Sequence, residues 1–130
     1  MEWYGVEERC RGDGVIETHT VLMMSREGTF DANGVATVEF RNGGLSRWDV
    51  ELLSVNTSST VRTRATVYRG APSQLNYSDS TRDGNNKTSD TKMPVNVGDF
   101  ITVQWTGGTP GAVAVARIEG KDILKGRRIY

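Results

Sequence analysis

The densest run of side-chain oxygens lies at residues 79–90, DSTRDGNNKTSD. Laid over a calcium loop, Asp79, Thr81 and Asp83 fall at its first, third and fifth positions, Gly84 at the sixth, Asn85 at the seventh and Asp90 at the twelfth. That spacing can surround a hard cation with oxygens, and the glycine permits the sharp bend the loop needs. Lys87 at the ninth position argues against it, as does an Asp where a longer, bidentate Glu is usual. Neither flank has helical periodicity. A polar turn whose Asp and Asn side chains bond the local backbone explains the same residues. Asp79, Asp83, Asn85 and Asp90 therefore form a weak calcium set, and no cofactor is expected.

Elsewhere the inventory for chemistry is poor. His19 is the only histidine and Cys10 the only cysteine, which excludes an internal disulfide and a cysteine-built metal site. No nucleophile, base and orienting group can be assembled, so no catalytic residue is nominated and the chain is not expected to be an enzyme. Trp3, Trp48 and Trp105 could stack on sugar rings, but the last two fall in phase with the core faces of their strands. Arg11-Gly12-Asp13 and the three Asn-x-Ser/Thr triplets at Asn56, Asn76 and Asn86 read as polar turns.

Bulk properties bound the rest. A chain of 130 residues is one domain by length and can bury a core without staples. Sixteen basic residues balance sixteen acidic ones, so no global field draws it to nucleic acid or to an anionic membrane. The first residues lack the basic and apolar regions of a signal peptide, and no apolar run approaches a bilayer span.

What positions these residues is alternation of period two. Ile101, Val103 and Trp105 alternate with polar neighbours, and a second apolar run covers residues 112–118. Between them Thr109-Pro110-Gly111-Ala112 predicts a type II turn, so the pair reads as a hairpin. Strands are also expected over 15–24, 35–41, 48–56, 61–69, 75–80 and 93–97, with turns at Asp31-Ala32-Asn33-Gly34, Asn42-Gly43-Gly44 and Asp83-Gly84-Asn85. The apolar phase flips between Trp48/Val50/Leu52 and Leu53/Val55, which predicts a β-bulge at Leu52-Leu53. The 61–69 strand should turn Val61, Thr63, Ala65 and Val67 inward and Arg62 and Arg64 outward.

The expected fold is an all-β, antiparallel β-sandwich of seven or eight strands, with the jelly roll as one candidate type. Residues 1–14 read as an arm, 15–120 as the sandwich and 121–130 as a basic tail beginning where the pattern stops after Glu119. The acidic start (Glu2, Glu7, Glu8) and basic end (Lys121, Lys125, Arg127, Arg128) suit a head-to-tail contact between copies. Trp3, Tyr4, Arg62, Arg64, Arg127, Arg128 and Tyr130 are the interface candidates, aromatic and arginine side chains being favoured at contact hot spots.

Three stretches of the second half carry a resemblance: ATVYRGAPS from Ala65, DSTRDGNNKTSD from Asp79, and VNVGDFITVQWTGGTPGAVAVARIEG from Val95. In them the chain resembles small virion proteins encoded in the tail and structural gene clusters of phages that infect actinobacteria. The resemblance implies a β-sandwich located in the virion, as a minor tail or tail-tip component or as a capsid decoration. Its partners would be other copies of itself and other virion proteins, and it carries over no catalytic residue. A carbohydrate-binding module that touches host surface glycans is the rival from a different class.

Overall fold

The computed structural model describes residues 6–10 and 15–127. Nine strands occur among them: β1 (Val6–Cys10), β2 (Val15–Thr29), β3 (Ala36–Arg41), β4 (Arg47–Thr57), β5 (Arg64–Arg69), β6 (Tyr77–Thr81), β7 (Lys87–Val95), β8 (Phe100–Thr106) and β9 (Val113–Arg127). One 3-10 turn, Gln74–Asn76, precedes β6. The strands form two antiparallel sheets, β1-β2-β9-β4-β7 and β3-β8-β5-β6, packed face to face as the expected β-sandwich. The strand beyond the expected eight is β1, in the stretch read as an arm.

The pairing is nested. β5 pairs with β6, β4 with β7, β3 with β8 and β2 with β9, so the chain pairs as one long hairpin that has been rolled up. Two further ladders, β4 with β9 and β5 with β8, close each sheet across the roll.

Alternation builds the core. β3 runs buried, exposed, buried throughout, with Ala36, Val38 and Phe40 inward. Trp105 is wholly buried, and the register places Ala36 on one side of it and Ala65 on the other. Two small neighbours leave room for one indole, the large-beside-small fit that close packing requires. The facing sheet contributes Ala114, Ala116 and Ile118 from β9 to the same cluster.

The bulge is present one residue earlier than expected. Val50 faces Gly120 and Leu52 faces Glu119, leaving Glu51 without a partner in β9. Buried positions accordingly shift from Trp48 and Val50 to Leu53 and Val55, while Leu52 is half-buried on the other face. Gly120 sits beneath the bulge, where a β-carbon would run into the carbonyl oxygen of Asp49.

Three expectations need correction. β8 and β9 are not a hairpin, because they belong to different sheets. The type II turn does form, with Ala112 N–H donating to Thr109 O at 3.0 Å and Gly111 at φ +86°, but it carries the chain over the sandwich edge. Backbone bonds from Phe30 N–H to Ala112 O and from Gly108 N–H to Gly34 O hold that corner in place of a ladder. The pattern does not stop after Glu119: β9 runs on to Arg127, and Gly120 marks the close approach to the bulge. Val61 is exposed, lying in the loop before β5.

Gly120→Ala should lower stability by about 1–3 kcal/mol, because the added methyl must displace backbone. Gly126→Ala, three pleat repeats further along the same strand with open space around it, should change stability by less than about 0.5 kcal/mol. Urea unfolding of the pair measures both, and equal effects would contradict the bulge geometry.

Candidate functional site

The oxygen-rich segment spans the passage from β6 to β7, and its side chains bond to protein donors in several directions. Asp79 Oδ1 accepts from Ser80 N–H and its Oδ2 from Ser89 Oγ–H at 3.1 Å, a bond between the edge strands of the two sheets. Thr81 Oγ1 accepts from Asp83 N–H and donates to Asp83 O. Asp83 Oδ1 accepts from Asn85 N–H, and Asn85 Oδ1 accepts from Thr57 N–H across the loop. Asp90 lies on β7 opposite Leu52. Gly84 is held from beneath: its carbonyl accepts Trp105 Nε1–H at 3.0 Å and its N–H donates to Thr63 O. This is the geometry of a polar turn pinned to the core by an indole.

No group of three His, Cys, Asp or Glu side chains converges among the described residues as a metal centre would require. His19 is largely buried, with Nε2 3.8 Å from Glu17 Oε1 and neither ring nitrogen hydrogen-bonded among the described residues. No described helix is long and apolar enough to cross a membrane. Trp48 and Trp105 are core residues, so they form no sugar platform.

The interface candidates scatter. Trp3, Tyr4, Arg128 and Tyr130 lie outside the described residues, and Arg127 closes β9 opposite Val15. Arg62 is exposed in the loop before β5, 4.0 Å from Asp83 Oδ2. Arg64 begins β5, its Nε–H donating to Ser80 Oγ at 2.8 Å. Residues 121–127 pair with β2, which also pairs with β1, and Lys125 Nζ approaches Glu17 Oε2 at 3.9 Å within the chain.

The structure brings together something the sequence did not suggest. β4 starts at Arg47, opposite Ile123, whereas β2 and β9 continue past that level and β1 joins them. The result is a three-stranded extension of one sheet. The loops after β3, β5 and β7 turn at this same end, and each carries an exposed apolar side chain: Leu45 (89 % exposed), Leu75 (98 %) and Val97. Leu124 on the extension is half exposed. Asn42 stiffens two of these loops, its Nδ2 donating to Ser46 O and Val95 O and its backbone bonding Asp99 and Gly98. These apolar tips lie on a braced end beside a projecting ribbon.

No family model matches the chain, and no curated protein sequence matches it. Among solved structures it is similar to a chain of "Acidic stable capsid structure of Helicobacter pylori bacteriophage KHP30", with TM-score 0.53 and 15 % identity over 88 % of this chain and 99 % of that one. The two share a fold along nearly their whole lengths. A second similarity, to "CBM4 structure and function", has TM-score 0.28 and 14 % identity, covering 96 % of this chain and 92 % of that one, and carries no argument.

Because Asp79, Asp83 and Asn85 already serve the turn, calorimetric titration with calcium should show no binding heat and the melting temperature should stay unchanged. A saturable rise in melting temperature at millimolar calcium would restore the cation reading.

Proposed function

We propose that the chain is a structural protein of a tailed-phage virion, working by contact with copies of itself and with other virion proteins. The observation that carries this is the end surface, where Leu45, Leu75, Val97 and Leu124 are exposed beside the projecting strands. Full-length fold similarity to a chain of a phage capsid structure supports it, as does the resemblance of residues 65–119 to virion proteins of actinobacterial phages. The strand orders β2-β9-β4-β7 and β3-β8-β5-β6, reached by nested pairing, support a jelly roll with β1 added at one edge.

The sequence resemblance favours a minor tail or tail-tip position. The fold similarity favours a second one, decoration of the capsid shell, and we adopt the shell as the working assignment because that likeness extends over almost the whole chain. Either place makes the same physical demand. Repeated weak contacts in an array add up by avidity, so a modest apolar patch per subunit suffices. Among the described residues β1 pairs with β2 alone, and its other edge, at the same end, is one that a neighbouring chain can extend by backbone pairing.

Sedimentation velocity tests the contact surface. The wild-type chain should self-associate at concentrations of about 10–100 µM, and the double variant Leu45→Asp/Leu124→Glu should remain monomeric with an unchanged melting temperature. A monomeric wild type, or an association indifferent to both substitutions, would contradict the assignment of this end as the self-contact.

A further inference from the structure

The outer face of the four-stranded sheet carries a broad groove of about 760 Å³ that borders the end surface at the Gln74–Asn76 turn. Its floor is a polar row crossing the sheet, in which Ser80, Thr66 and Gln104 are cross-strand neighbours on β6, β5 and β8. Tyr68 and Tyr77 face one another across the β5–β6 pair and form one wall, with Tyr77 55 % exposed. Gln74, from the 3-10 turn, also lines the groove. Arg64 stands at the other end, its guanidinium oriented by the bond from Nε–H to Ser80 Oγ. No Asp or Glu lines the groove, so Arg64 is its only formal charge.

Each feature suits the same class of ligand. Tyrosine pairs an apolar ring face with a hydrogen-bonding hydroxyl, matching a pyranose, whose C–H face is apolar and whose rim is hydroxylated. The Gln74 and Gln104 amides and the Thr66 hydroxyl offer donors and acceptors to that rim. A guanidinium held by its Nε keeps its terminal N–H groups for bidentate binding of an anion. One arginine is too few for nucleic-acid backbone, which is bound by several cations at once. An open, polar trough is also the wrong shape for an apolar small molecule.

We propose that this groove binds a saccharide bearing an anionic substituent, carboxylate or phosphate, with a sugar ring against Tyr77 and Tyr68 and the anion on Arg64. The site does not depend on where in a particle the chain sits. It relocates carbohydrate recognition from the tryptophans to a tyrosine pair.

The test uses the full chain, ¹H–¹⁵N correlation spectra and three probes: tetragalacturonate, a phosphorylated mannopentaose and neutral galactotetraose. Shifts should cluster on Thr66, Tyr68, Tyr77 and Gln104, and at least one anionic probe should bind about tenfold or more tightly than the neutral one. Which anionic probe wins separates carboxylate from phosphate recognition. Tyr77→Ala and Arg64→Gln should each weaken that binding about tenfold, while Arg62→Gln, outside the groove, should not. Unperturbed groove resonances with all three probes at about 10 mM would overturn the proposal. So would binding that survives both groove substitutions, or a groove that responds only to self-association, which would make it a contact between copies.

Discussion

The structure depends on one ladder. Every residue of β2, from Val15 to Thr29, is paired with β9, from Arg127 back to Val113, so these two long strands are bound along their full length. This closure makes β9 the middle strand of its sheet, with β2 on one side and β4 on the other. The other ladders nest inside it. Such long-range pairing repays its loop-closure entropy only when most of the sheet is in place, which favours a cooperative, comparatively slow-folding domain. The same ladder also supplies the projecting ribbon, because both of its strands outrun β4.

Core and surface are linked through a few fixed points. Trp105 fills the space left by Ala36 and Ala65, and its indole N–H holds Gly84, so the polar turn between the sheets is anchored from the interior. Asn42, wholly buried, does the equivalent work at the opposite end by joining the loops after β3 and β7. A buried amide with its bonds satisfied is costly to disturb, since removing it would orphan the carbonyls it serves. The loops that carry Leu45 and Val97 are thereby braced, and a braced apolar tip loses less entropy on contact than a free one.

The strands were legible in the sequence wherever the two faces of the sheet meet different surroundings. β3 and β8 show this through Ala36/Val38/Phe40 and Ile101/Val103/Trp105, and the phase slip at Val50–Leu53 disclosed the bulge to within one residue. Partner choice was not legible. Pro110-Gly111 dictates a reversal of direction, but nothing local says whether the returning strand joins the same sheet or the facing one. The last part of β9 was missed because Gly120, required by the bulge, looks like a terminator, and beyond it both faces carry polar residues. Asn42 read as a loop breaker, since burial of an amide is visible only when its partners, Ser46 and Val95, are brought to it. The end surface and the groove each draw on residues far apart in sequence, so strand alternation alone could not have assembled either.

We propose that the outward faces of this packed unit hold it in a virion. Quantitative mass spectrometry of purified particles, produced from the genome that encodes this chain, measures that most directly. The account predicts the chain in the particle at a fixed, multiple copy number relative to the major shell protein. Finding it only in the infected-cell lysate and absent from particles would contradict it.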